Sequence, residues 1–396
     1  MERLAIPHMR DALIPSGIPP VMQSLSIVHF GSFSTSRPCG VANAGAMLTK
    51  ALVSQGHHVT IATPTRGVLE PAATDSLGIQ TIHYRRQQSP LRFHSELDAI
   101  VIELRNRRRL DVAHLYSVFT PGNEVIRRIL RKHGIPYVWS PQGGLDEHIM
   151  KRGRIKKWIY WNLYEQRLMH DAAAIHCLTS REMDRMRQLG YTGHTEVIGN
   201  IVEAAESLER RPMNRIIFMG RGDIHHKGLD RLIRLFGCIA RQDPDVSLYL
   251  YGCPEAGLKL AGEMNAIGPS KSRIVFHAPV YDDEKARALA EATIYIQASR
   301  WEGFGVSIAE AMVAGVPVMV SRECALSAFL EQTGGGRVLE DFAEAGASQV
   351  VAMLRDAKAA AELGACGMDV AGRNFSARVI AGQMQQLYLS VLKPCA

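Results

Sequence analysis

The stretch SRWEGFGVSIAEAMVAGVPVMVS, residues 299–321, reads as one complete structural unit. A strand ends at Ser299. Glu302 follows, then a flexible Gly303-Phe304-Gly305 turn, then a helix that carries Glu310. Small residues and Gly315 end that helix before a second buried strand, VPVMVS (316–321). Strand, helix and strand in this order imply a right-handed crossover and a parallel sheet. A glycine turn feeding a helix N-terminus offers unpaired backbone N–H groups at the positive end of the helix dipole, which suits a diphosphate. A carboxylate before the turn can accept from sugar hydroxyls. One a turn into the helix can accept from the two ribose hydroxyls, as the acidic residue of nucleotide-binding Rossmann domains does. Neither glutamate need be a base.

The same rhythm extends in both directions. Upstream in the same half lie strands RIIFMG (215–220), VSLYLYG (246–252), RIVFHA (273–278) and TIYIQAS (293–299). In the first half, LSIVHF (25–30), HVTIAT (58–63), DVAHLY (111–116), PYVWS (136–140) and AAIHCL (173–178) alternate with helical patterns near 41–55, 122–133, 154–170 and 180–189. Alternating strands and helices predict two tandem doubly wound α/β domains with ligands outside the carboxyl ends of the strands. The polar stretch 200–214, with Pro212, separates them. The expected organisation is a flexible leader at 1–24, a Rossmann-like domain at 25–199, a second at 213–375, and a final helical segment at 376–396.

Composition bounds the chemistry. Hydrophobic residues make up 46% and charged residues 21% of 396, enough for packed cores throughout. No apolar run approaches the length of a membrane span, and the Pro-broken first 24 residues are no signal peptide. Seven scattered cysteines include no C-x-x-C pair, which argues for a reducing compartment and against a zinc site or disulfide framework. The fifteen histidines show no metal-ligand spacing. The net charge of +7 is lopsided: residues 1–200 hold 25 Lys/Arg against 16 Asp/Glu, the remainder 21 against 23. Nucleic acid, an anionic membrane surface, a phosphorylated acceptor or a plain solvated face would each account for that excess. No helix-turn-helix, RNA-binding aromatic motif or zinc finger supports nucleic acid.

A second cluster stands in MGRGDIHHKGLDRLI (219–233). Arg221 follows a strand end, and Lys227, with Gly228 behind it, is read as opening the next helix. Two fixed cations at the carboxyl edge of one sheet can neutralise a departing diphosphate, the work otherwise done by a magnesium ion.

These segments resemble the E-x7-E family of retaining GT-B glycosyltransferases, the group 1 or family-four-like enzymes. EGFGVSIAE (302–310) matches the family signature. GRGDIHHKG resembles its Arg…Lys phosphate pair, VIGNIVE (197–203) its interdomain segment, and RPCGVANAGAMLTKALVSQGHHVTIAT (37–63) its first loop and helix. The resemblance implies that Glu302 contacts the transferred sugar and Glu310 the ribose, and that Arg221 and Lys227 bind the diphosphate. It also implies that Gly303, Phe304 and Gly305 line the donor site through their backbone. Of the family's first-loop glycine pair only Gly40 can be carried over, since Cys39 stands at the other position. The implied reaction is sugar transfer from a UDP- or GDP-sugar to an acceptor hydroxyl with retention, without metal or other cofactor. The implied setting is polysaccharide or lipid-linked glycan synthesis in the cytoplasm or at the inner face of the membrane.

One segment departs from the pattern. YVWSPQGGLDEHIM (137–150) aligns where many relatives read S-P-H-G-M-L, and Gln142 replaces the family's active-site histidine. Glutamine can hold a sugar hydroxyl through its amide but cannot carry charge or shuttle a proton at neutral pH. Gln142 therefore keeps open a catalytically silent nucleotide-sugar binder, and makes a nucleotide-sugar 2-epimerase less favoured. His148, six residues on, is a candidate substitute, set against a surface role.

The acceptor, a glycan or lipid-linked glycan, is expected on the basic first domain. KRGRIKKWIYWNLYEQRLMH (151–170) combines Lys151, Arg152, Arg154, Lys156 and Lys157 with Trp158, Tyr160, Trp161 and Tyr164. A basic, aromatic, amphipathic segment fits an anionic membrane surface. The plainer expectation is an aromatic stripe buried in the domain core, with the lysines in water.

Overall fold

A computed structural model describes residues 24–31, 40–65, 73–74, 78–86, 89–91, 94–107, 110–151, 153–203 and 208–392. The leader, Cys39 and Arg152 lie outside the described residues.

Among the described residues the first sheet has eight strands. Their spatial order is Ala73–Thr74, Gln80–Arg85, His58–Thr65, Ser26–Phe30, Val112–Tyr116, Tyr137–Ser140, Ala174–Cys177 and Thr195–Val197. Only the first pair is antiparallel. The second sheet runs Ile274–His277, Ser247–Tyr251, Arg215–Met219, Ile294–Gln297, Val318–Val320 and Arg337–Val338, all parallel. Each sheet starts in its middle, builds to one edge, then returns to build the other. The reversal falls between Ser26–Phe30 and Val112–Tyr116 in the first sheet, and between Arg215–Met219 and Ile294–Gln297 in the second. Crevices at such reversals are where doubly wound sheets bind ligands.

The strands are buried on both faces, so they read as continuous apolar runs rather than alternating ones. Val28, Phe30, Leu115, Trp139 and Ile175 face one layer of helices. Ile27, Val112, Val138 and Ala174, on the opposite face, pack against Leu48 and Leu52 of helix Gly40–Ser54 and against Ile380, Met384 and Tyr388. The last three belong to the final helix, Ala377–Leu392, which therefore completes the first domain.

Two residues further along each strand, that second face turns polar. His29, His114, Ser140 and His176 form one buried row at the carboxyl ends of four neighbouring strands. His114 bridges Ser140 Oγ at 2.6 Å and Tyr388 OH at 2.7 Å, and Ser140 meets His176 Nδ1 at 2.6 Å. His176 Nε2 donates to the Ile198 carbonyl at 2.8 Å, and His29 Nδ1 lies 2.9 Å from Thr49 Oγ1. Burial holds His29 down at about 3, His176 at about 4, and His114 well below its ordinary value. The row is a neutral hydrogen-bond chain that fastens the crossing helix by Tyr388.

The boundary segment is more packed than its polar composition suggests. Ile201 and Val202 are buried, and Val202 N donates to Phe375 O at 2.9 Å. Arg210 donates to the carbonyls of Gly315 at 2.8 Å and Ala292 at 2.6 Å.

Candidate functional site

The loops after Arg215–Met219 and Ile294–Gln297 leave the second sheet side by side at its reversal. Tyr295, Gln297 and Ser299 point to the same face because side chains alternate along a strand, and all three are buried. The Tyr295 hydroxyl lies 2.5 Å from Gln297 Oε1 and 2.9 Å from Ser307 Oγ. Gln297 Nε2 donates to Ser299 Oγ at 2.7 Å. This buried chain ends on Glu302, whose Oε1 accepts from Ser299 Oγ at 2.7 Å, Gln297 Nε2 at 3.1 Å and Lys227 Nζ at 2.6 Å.

Lys227 does not open the long helix, as expected from sequence, but closes the single turn Ile224–Lys227. Asp223 caps that turn by accepting from His226 N at 3.0 Å. Gly228 then takes a left-handed conformation (φ 64°) against strand Ile294–Gln297: a β-carbon there would lie 2.0 Å from Ala298 O. Only glycine permits this approach, and the approach puts Lys227 beside Glu302. Arg221 is exposed just past the end of its strand, and its guanidinium makes no ion pair among the described residues.

Gly305, with φ 93°, is the residue before helix Val306–Val313. Glu310 is the fifth residue of that helix and accepts from Lys285 Nζ at 2.7 Å. A cavity of about 1070 Å³ reaches Glu310, Lys285 and Val306 from the second domain, and Met47 and Lys50 from the first. Neither Lys227 nor Glu302 lines it.

The first domain meets this site through the loop after Tyr137–Ser140. Gln142 (φ 57°) and Gly143 (φ 74°) are both left-handed. A β-carbon on Gly143 would lie 2.5 Å from the Gly303 α-carbon, so the two glycine backbones touch across the domain boundary. Glu182 fixes the loop, accepting from Gly143 N at 2.5 Å and Leu178 N at 2.7 Å. Burial raises the Glu182 carboxyl to about 7, against the two backbone hydrogen bonds that lower it. Beside this contact, Trp301 is buried between His148 of the first domain and His226 of the second. The ring centroids are 4.8 Å and 4.3 Å away, with interplanar angles of 5° in both pairs.

Two family models account for most of the chain: a glycosyl transferase 4-like domain over residues 40–200 and glycosyl transferases group 1 over 213–356. Across the two models together, the chain belongs to the glycosyltransferases, 4-like in its first domain and group 1 in its second. It is 28% identical over 182 residues to the phosphatidyl-myo-inositol mannosyltransferase of Mycobacterium tuberculosis, a match covering 44% of this chain and 47% of that one. It is 24% identical over 323 residues to a GDP-mannose:cellobiosyl-diphosphopolyprenol alpha-mannosyltransferase of Xanthomonas oryzae, covering 76% and 81%. The first curated relatives are thus matched over roughly half to two thirds of their own length. The solved structure of sucrose-phosphate synthase from Thermosynechococcus elongatus has the same fold, with a TM-score of 0.72 at 18% identity, covering 93% of this chain and 99% of that one. The fold is GT-B.

In this glycosyltransferase, the sequence-predicted Lys227, Glu302, Gly303, Gly305 and Glu310 stand along one sheet edge, and Gln142 faces them from the first domain. The Phe304 side chain points away: it is buried edge-to-face on Phe375, centroids 5.2 Å apart, so only its backbone faces the loop. Gly40 is the first residue of helix Gly40–Ser54, and the loop before it lies outside the described residues. Sequence reasoning missed Lys285, Trp301, Gln297, Ser299, Gly143 and Glu182. Gln297 and Ser299 did leave a signal, two polar residues at alternate positions in an otherwise apolar central strand. Lys285 left none, because it reaches Glu310 from a separate helix, Asp282–Glu291.

Proposed function

We propose that this glycosyltransferase moves a hexosyl group from a nucleotide-sugar to an acceptor hydroxyl with retention at the anomeric carbon. The observation carrying the proposal is the Lys227–Glu302 pair beside the Gly303–Gly305 turn, at the reversal of the second sheet. The donor diphosphate would lie against that turn and the helix it feeds, with Arg221 and Lys227 as its cations. Glu302 would hold the sugar and Glu310 the ribose. The acceptor oxygen bonds to the anomeric carbon on the face from which the diphosphate leaves. The anomeric C–O bond breaks with its electron pair on the diphosphate, and the acceptor proton passes to that departing phosphate oxygen. Charge on the leaving group is met by side-chain cations, so the reaction is proposed to run without metal or cofactor.

GDP is favoured as donor nucleotide by the named donor of the Xanthomonas relative, with UDP as the alternative. The same relative's name favours a lipid-linked glycan acceptor and hence a role in polysaccharide or lipid-linked glycan synthesis. We place the protein at the cytoplasmic face of a membrane. No helix among the described residues is long and apolar enough to cross one, so association would be peripheral. Gln142, in place of the family histidine, supports a second reading, a silent nucleotide-sugar binder. Incubation with GDP- and UDP-sugars in EDTA separates the two. Nucleoside diphosphate release with an α-configured product from an α-linked donor supports transfer with retention. Binding without release supports the silent reading.

A further inference from the structure

The helical segment after residue 153 is apolar on two sides. Its inner side is core: Trp161, Leu168 and Met169 are buried among the first sheet's helices. Its outer side is not covered by any of the described residues. Ile155 is 76% exposed, Trp158 65%, Ile159 46% and Leu163 47%. The spacing 155, 158, 159 lies on one face of helix Arg154–Tyr160. The wider π turn Trp161–Glu165 that follows keeps Leu163 close to the same line. The plainer sequence expectation is therefore half right: Trp161 is core, whereas Trp158 is surface. Single exposed apolar residues need no explanation, but four in one stripe, including a tryptophan, do.

The surroundings of the stripe say what covers it. Residues 151–164 contain no acidic side chain. Lys151, Arg154 and Lys156 are exposed around the stripe. Beside it opens a groove of about 580 Å³ lined by Met150, Trp161 and Leu189, by the cations Lys151, Arg154 and Arg185, and by one carboxylate, Glu147, which Arg185 neutralises at 3.5 Å; Trp158 is shared by groove and stripe. An apolar ridge ringed by cations is complementary to a surface with anionic headgroups above acyl chains. A second protein would more often be met by mixed charges at the rim.

We infer that the face formed by Ile155, Trp158, Ile159 and Leu163 with Lys151, Arg154 and Lys156 docks on an anionic lipid bilayer. Trp158 lies at the level of the headgroups, and the cations meet lipid phosphates. The inference deepens the proposal of a lipid-linked acceptor and rests on it for its purpose. Helix Glu147–Lys151 connects the two places: its His148 stacks on Trp301 at the donor loop, while its Met150 and Lys151 line the groove. An acceptor held in the bilayer would thus be presented one short helix away from Glu302.

The test is co-sedimentation of the full chain with phosphatidylcholine vesicles, with and without phosphatidylglycerol. The wild type is expected to bind the anionic vesicles and to bind far less to phosphatidylcholine alone. Replacing Lys151, Arg154 and Lys156 by Glu should weaken anionic-vesicle binding by about a hundredfold or more. The double variant Ile155→Ser/Trp158→Ser should weaken it by roughly tenfold or more. Both variants should keep the wild-type melting temperature and donor-dependent nucleotide release. No vesicle binding by the wild type, or unchanged binding by both variants, would overturn the inference. So would a wild-type dimer that the apolar double variant dissociates, since the stripe would then be a contact between two copies. Vesicle binding without nucleotide release would leave this docking face standing and remove the transfer reaction; release without vesicle binding would do the reverse.

Discussion

Lys227 donates to Glu302 across 2.6 Å, joining two loops that leave neighbouring strands of the second sheet. Both side chains are largely buried, so each satisfies the other when no donor is present. In the proposed reaction, a diphosphate at the glycine turn would share Lys227, and Glu302 would be left with Ser299 and Gln297 while accepting from the sugar. Lys227→Ala is expected to lower kcat/KM for nucleotide release by about a hundred- to a thousandfold, the scale of losing one charge-stabilising group. Steady-state kinetics on purified variant checks this. A loss below about tenfold would place the diphosphate elsewhere.

The glycine contact between the domains gives a different signature. Gly143→Ala adds a β-carbon where Gly303 already sits and forces alanine to a φ of 74°. The nucleotide contacts proposed for the second domain would be untouched. Transfer should therefore fall by about tenfold or more, while nucleoside diphosphate affinity, measured calorimetrically, stays close to that of the wild type. Equal losses in both would show that the variant damages the fold rather than the domain contact.

Stability should depend on pH from two opposing groups. His29, His114 and His176 are held neutral by burial, and in the unfolded chain they protonate below about 6.5. The unfolded state then binds more protons, so stability falls as pH drops through this range. Burial also raises Glu165 to about 8 and Glu182 to about 7, so the folded state holds protons there that the unfolded state has lost above its carboxylate range. That contribution falls away as pH rises toward 8. The two slopes, about 1.4 kcal/mol per pH unit for each proton, cancel between about pH 6 and 6.5, where the unfolded chain's three histidines are about two-thirds protonated and so match the roughly two protons that the folded carboxyls keep. Denaturant unfolding from pH 5 to 8 should show a maximum between about 6 and 6.5. A steady rise across the range would mean that the carboxyls are not held protonated. A steady fall would mean that the histidine row is already charged.

The fold was legible because parallel strands buried on both faces leave unbroken apolar runs, such as Ile216 to Met219, and because Gly315 and Gly305 punctuate them. The parts of the candidate donor site were legible for a similar reason: a glycine turn between two glutamates is a local pattern confined to a dozen residues. What stayed hidden depends on contacts distant in sequence. Lys285 meets Glu310 from another helix, His148 and His226 enclose Trp301 from two domains, and Tyr388 caps a histidine row laid down by residues 29 to 176. The placement of Lys227 went astray by one turn because Gly228 is read more naturally as a residue inside a helix than as the left-handed hinge that separates two. Strands such as Gln80–Arg85, whose side chains are mostly only half-buried, carry too little apolar sequence to stand out.

The most direct test of the donor site is the melting temperature with a panel of nucleoside diphosphates and nucleotide-sugars in EDTA, for the wild type and Glu310→Ala. A nucleotide present at 100 times its dissociation constant should add about 2.7 kcal/mol to the wild type, a visible shift. The account predicts that GDP, or failing that UDP, gives this shift without metal and that Glu310→Ala loses most of it. Absence of any shift in the wild type, or an undiminished shift in the variant, would contradict the assignment of the second domain's glycine turn and Glu310 to the donor nucleotide.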